Sequence, residues 1–138
     1  MRRIFVDTNY FVAHFNVDDE HHERALRVTV EIAAGETPRY VTLLASLSEF
    51  LSYTSRGTAR IRNDAAAFVD AVRASQDFRI IGEDEASFDA GLTLYRQRLN
   101  KQYSLVDCMS MVSCRRMKIT EVLTGDRDFE REGFNILL

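Results

Sequence analysis

The chain has 138 residues, 46% of them hydrophobic and 10% aromatic, and carries a formal net charge of −3 at pH 7. That is enough apolar material for one globular domain spanning residues 1–138 without disulfides or a structural metal, and it excludes a disordered chain. The acidic balance argues against a broad basic surface for nucleic acid, but it allows an acidic site that meets phosphates through cations and local arginines.

Residues 3–7 (RIFVD) predict a short apolar strand ending on an acid, followed by one or two helical turns over 9–15. A helix over about 20–34 carries Ala25, Leu26, Val28, Ile32 and Ala33 at helical spacing, with Gly35 placed to end it. RYVT (39–42) reads as a second strand, and LLASLSEFLSYT as a buried helix ending near Gly57. Thr58 or Asn63 starts the next helix, which runs to about Ala74 with Phe68, Val69 and Val72 inward. FRII (78–81) is a third strand closed by Gly82. The amphipathic helix that follows has acids in its first turn and arginines in its last, as the helix dipole prefers. After the polar break NKQ come the helix SLVDCMSMVSCRRMK, a fourth strand EVLT (121–124), a short turn near 127–132 and the strand NILL.

Short β-rich runs alternating with helices imply right-handed crossovers and an α/β fold. The expectation is a three-layer α/β/α sandwich around a mostly parallel sheet of about five short strands. Ligands of such sheets bind beyond the carboxyl ends of the strands. No run approaches the roughly 18 apolar residues of a membrane span. MRRIFVD reaches an acid too early for a secretory leader, so a cytoplasmic protein is expected. Cys108 and Cys114 suit neither a disulfide nor a metal knuckle and read as small buried hydrophobes.

Most of the 21 acids are explained by solvated helix faces. Asp7 is not, because it directly follows Ile4, Phe5 and Val6 at the end of the strand expected to be central; its structural alternative is a helix cap. Asp126 follows Val122, Leu123 and Thr124 in the same manner, with Asp128 two residues on and either able to cap the next turn. Asp107 belongs to Ser104-Leu105-Val106-Asp107, a legitimate capping box, yet it shares a helical face with Ser110, Met111 and Cys114. Glu49 stands among leucines, Phe50 and Tyr53. Acids gathered around one crevice repel unless a cation sits among them, and carboxylate oxygens suit Mg²⁺ or Mn²⁺. Such an ion can polarise a phosphodiester and activate water. His14, His21 and His22 lack metal-ligand spacing and read as surface groups, and no phosphate-cradling glycine loop or nucleophile elbow is present.

VDTNYFVA, the acid in LLASLSEFL, YSLVDCMSM and LTGDRDFEREGF together resemble the PIN domain, and more narrowly the VapC-type ribonuclease toxins, over residues 4–138. The closing S-x-x-D…L-T-x-D-x-D-F-x-x-x-G-F run is the specific part. The resemblance implies a metal-dependent endoribonuclease with Asp7, Glu49, Asp107 and Asp126 as its four catalytic acids. Asp7 and Asp107 would be the main ligands of Mg²⁺ or Mn²⁺, Asp126 would assist directly or through water, and Glu49 would orient water or a second ion. Thr8, Asn9 and Thr124 resemble polar neighbours that support such a site. It also implies an RNA substrate, a small antitoxin partner whose tail enters the crevice, and a homodimer, for which the apolar helices near 8–15 and 43–55 are candidate surfaces.

Two other readings compete. A phosphatase with an aspartyl nucleophile typically needs a second Asp two residues after the first, where Asn9 stands. A non-catalytic interaction module would not need all four acids. Arg56, Arg60, Arg62, Arg96, Arg98, Lys101, Arg115 and Arg116 are candidates for RNA backbone contacts, with solvated helix faces the alternative for each.

Overall fold

The computed structural model describes residues 1–138. Five strands form one sheet: β1 (Arg3–Val6), β2 (Arg39–Leu43), β3 (Phe78–Ile81), β4 (Glu121–Leu123) and β5 (Asn135–Ile136). Their spatial order is β3-β2-β1-β4-β5, and every pairing is parallel. The sheet is therefore wholly parallel rather than mostly so. The last strand is shorter than NILL suggests: Leu137 and Leu138 leave the ladder but still donate backbone hydrogen bonds to Val122 and Thr124.

β1 is central, as its unbroken apolar run requires of a strand covered on both faces. Ile4 and Val6 point into one core with Tyr10, Phe11, Leu47, Phe50 and Leu123. Phe5 points into the other with Val41, Val122, Met111, Cys114 and Phe129. This alternation makes three layers. On the first face lie α1 (Thr8–Phe15), α2 (His22–Ala33), α3 (Leu44–Thr54) and α4 (Ala59–Ala74); on the second lie α5 (Glu85–Gln97), α6 (Leu105–Met117) and α7 (Arg127–Arg131). No helix is long and apolar enough to cross a membrane.

Two packings hold the helices that carry the candidate acids. Phe11 and Phe15 of α1 meet Phe50 of α3 with ring centroids 6.4 and 5.4 Å apart, both edge-on, and Phe68 of α4 completes the cluster. Each such buried aromatic contributes about 1.5–3 kcal/mol. On the opposite face Gly91 of α5 lets α6 approach closely, since a Cβ there would stand 2.4 Å from Met109 Cγ and 3.3 Å from its backbone nitrogen. Cys108 and Cys114 are free and buried, as expected.

Candidate active site

The chain passes from β1 to β2 on one side of the sheet, and β4 then joins the other edge of β1. The order of connection reverses at β1 and β4, and in open parallel sheets a crevice opens at that point beyond the strand ends. Asp7 follows β1 there, and Thr124-Gly125-Asp126 follows β4.

A cleft of about 370 Å³ at this edge is lined by Asp7, Glu49, Asp107 and Asp126 together, with Thr8 and Asn9 between them. The four acids, spread from residue 7 to residue 126 of the sequence, thus reach one concavity. Asp7 is only 4% exposed. It occupies the position before α1 but makes no capping hydrogen bond with its side chain, so helix capping does not account for it. The Thr124 hydroxyl lies 2.9 Å from Asp7 Oδ2 and also 2.9 Å from Asn9 Oδ1. With one proton to give, it donates to one of them at a time, and it accepts the Asp126 backbone N–H at 3.1 Å.

Asp107 and Asp126 satisfy both readings available to them. Asp107 completes the capping box with Ser104, accepting its backbone N–H at 3.0 Å, and still lines the cleft. Its helical neighbours Ser110, Met111 and Cys114 are fully buried, which turns that face toward the sheet. Asp126 caps α7 through the Asp128 N–H at 2.9 Å while its carboxylate borders the cleft. Asp128 is instead paired with Arg131 and does not line the cleft. Glu49 sits beside the fully buried Phe50, and its Oε1 accepts the Thr8 hydroxyl at 2.7 Å.

Electrostatics tie these acids together. Burial, reinforced by the charge of Asp107 and opposed by the Thr124 hydrogen bond, holds the Asp7 carboxyl up at about 7. Burial likewise raises Asp107 to about 6, with the charges of Asp126 and Glu49 pushing the same way and the Ser104 hydrogen bonds opposing. Asp126 is also raised, chiefly by burial. Carboxyls whose ionised forms disfavour one another are a recurrent mark of functional sites. Their hard oxygen donors fit a divalent cation. No three of the His, Cys, Asp and Glu side chains are grouped closely enough to grip an ion at once.

Several residues at this edge escape sequence reasoning. Asp19, His21 and Tyr53 also line the cleft. His21, expected on a featureless surface, lies at its mouth, whereas the neighbouring His22 ring is fixed by the Ala13 carbonyl at 2.7 Å. Two of the arginines considered for RNA contacts are engaged elsewhere. Arg98 meets Glu132 at 3.0 and 3.1 Å, and Arg115 meets it at 3.0 Å, with the Tyr103 hydroxyl donating to the same carboxylate at 3.0 Å. The apolar side of α1 is likewise occupied, since Tyr10, Phe11 and Ala13 are core residues, whereas α3 leaves Leu44, Leu51 and Tyr53 exposed.

The PIN domain family model matches residues 4–135. The chain belongs to the PIN-domain family. Among solved structures this PIN domain is similar to VapC20 of Mycobacterium tuberculosis, described as a sarcin–ricin-loop-cleaving toxin, at 27% identity over 95% of each chain with a TM-score of 0.81. It also shares its fold with FitAcB from Neisseria gonorrhoeae (16% identity, 98% and 96% coverage, TM-score 0.66). VapBC2 from Rickettsia felis, bound to a promoter DNA fragment, shares it too (13% identity, 97% and 96% coverage, TM-score 0.67). A comparison with curated protein sequences returns no significant match.

Proposed function

We propose that this PIN domain is a metal-dependent endoribonuclease that hydrolyses RNA phosphodiester bonds, and that it is the toxin of a toxin–antitoxin pair. The observation that carries this reading is the convergence of Asp7, Glu49, Asp107 and Asp126 on one cleft at the point where the sheet's connections reverse. Membership of the family and the likeness to a toxin described as cleaving the sarcin–ricin loop support it.

Asp7 and Asp107 would hold Mg²⁺ or Mn²⁺, with Asp126 assisting directly or through water. When bound, the ion would supply Lewis-acid polarisation of the phosphodiester and lower the pKa of a water, chemistry consistent with hydrolysis to 5′-phosphate and 3′-hydroxyl ends. Thr124 orients the Asp7 carboxylate and favours its ionised form. Glu49, steadied by Thr8, orients the attacking water. Asn9 accepts the Gly125 N–H at 3.3 Å and so ties the β4 loop to α1, fixing the spacing of Asp7 and Asp126.

The same resemblance supports a cytoplasmic protein with a small antitoxin partner and pairing of two copies. The exposed Phe88, Tyr95 and Leu99, on α5 or just beyond it, offer an apolar surface for such pairing. The test is growth on induced expression. Arrest by the wild type, lost in Asp7→Asn and Asp107→Asn at equal levels of folded protein, is expected. Equal arrest by the folded Asp7→Asn protein would contradict the assignment.

A further inference from the structure

Next to the carboxylate cleft lies a second, larger groove of about 900 Å³, between the ends of α1 and α3 and the start of α4. The two concavities share one residue, Tyr53. Its side chain is a ridge between them: the residue is 51% exposed, and Asn16 Nδ2 donates to its hydroxyl at 3.0 Å. Asn16 is fixed in turn, because its Oδ1 accepts the Asp18 N–H at 3.0 Å. An exposed aromatic ring beside the carboxylate cleft offers a stacking platform, and stacking on aromatic rings is how proteins hold unpaired bases.

The walls of the groove accommodate a base and its sugar. Ile61 presents an exposed apolar face, while Ser52, Asp18 and Arg56 offer a hydroxyl, a carboxylate and a guanidinium. Phe15 and Val17 add apolar wall beside Ile61, and Asp64 adds a second carboxylate, so the groove offers both apolar contact and hydrogen-bonding groups around the Tyr53 ring. Its volume lies within the ~300–1,000 Å³ of ligand pockets, with room for a nucleoside.

We propose that this groove is a subsite for one unpaired nucleotide flanking the scissile phosphate, its base stacked on Tyr53. The inference rests on the ribonuclease reading above. RNA enters as a single strand or a loop, runs over Tyr53 and turns its phosphate into the carboxylate cleft, with Arg56 available to the next phosphate along.

The test is a cycle between protein and substrate. A single-stranded RNA oligonucleotide is cut in Mn²⁺, the cut is mapped, and each flanking nucleotide is replaced in turn by an abasic one. Tyr53→Ala should lower kcat/KM by roughly 5- to 150-fold, the range that stacking one base represents, chiefly through KM. At one flanking position the abasic RNA should cost the wild type a similar factor and the Tyr53→Ala protein little more. Tyr53→Phe, which keeps the ring, should recover most of the loss. Ile61→Asp, on another wall, should weaken cleavage without altering Tyr53, and Val30→Ala at an exposed position of α2 serves as a control. Unchanged cleavage by Tyr53→Ala would overturn the subsite and assign the groove to a protein partner. Losses that multiply at every position would also overturn it. Absence of RNA cleavage by the wild type in both Mg²⁺ and Mn²⁺ would instead overturn the ribonuclease reading, and the subsite with it.

Discussion

The hydroxyl of Thr124, at the end of β4, lies 2.9 Å from a carboxylate oxygen of Asp7, at the end of β1. Both residues are buried. This contact opposes the burial and the neighbouring charge that hold the Asp7 proton on. The ionised form of Asp7, which the proposed metal site requires, therefore draws on a neutral side chain from the adjacent strand.

Thr124→Val removes that donor. The Asp7 carboxyl then rises further above about 7, so the acid limb of the pH–rate profile moves to higher pH. Loss of a hydrogen-bond partner behind a metal ligand typically costs about 10–100-fold in activity or metal affinity. Thr124→Ser, which keeps the hydroxyl, should retain the wild-type profile. Cleavage rates across pH 5–9 check both.

Without divalent ions the cleft is a cost to the fold. An unfolded chain releases the Asp7 proton near 3.8, whereas the folded protein holds it to about 7. The stability this group contributes is full below the lower value, falls as pH rises between the two, and is gone above the upper one. Asp7→Asn should therefore stabilise the metal-free protein at pH 8 by roughly 1–3 kcal/mol. Calorimetry in EDTA reads the gain. Added Mg²⁺ or Mn²⁺ should narrow the difference by stabilising the wild type alone.

Glu132 behaves in the opposite sense. Its side chain is 7% exposed, and Arg98 first, then Arg115 and Tyr103, hold its carboxyl down at about 2 against an ordinary 4.5. The stability it contributes is present above the ordinary value and is lost as pH falls toward the lower one. Glu132→Ala strands two guanidiniums that still reach water, so it should cost about 1–3 kcal/mol. Acid unfolding followed by circular dichroism should show a midpoint moved to higher pH.

Asp126 and Asp128 should separate cleanly. Asp126→Asn should reduce cleavage by about tenfold or more, because it alters a group lining the cleft. Asp128→Asn loses a partly exposed pair with Arg131 and should stay within about threefold of wild type. Parallel kinetics on the two purified proteins distinguish them.

What was legible in the sequence was local. The unbroken apolar run before Asp7 marked a central strand, and the acid at its end marked the edge where the cleft lies. The chain-order pattern of strands and helices carried the three layers. Asp107 and Asp126 showed that capping and cleft-lining are not exclusive, since both do both. Asp128 could not be told from Asp126 by spacing, because its partner Arg131 belongs to the same short helix and only the turn's geometry aims one acid inward. Arg98 and Arg115 looked free because Glu132 is 34 and 17 residues away. His21 and Tyr53 reach the cleft only through the tertiary packing of α1, α2 and α3, which no periodicity encodes.

The central claim is that the four acids form a metal site that cuts RNA. It is tested most directly by incubating end-labelled RNA with wild-type protein in Mn²⁺, in EDTA and with the Asp7→Asn protein in Mn²⁺, and analysing the product ends. Cleavage to 5′-phosphate and 3′-hydroxyl ends in the first reaction only is the expected result. Cleavage that persists in EDTA, or in the Asp7→Asn protein, would contradict it.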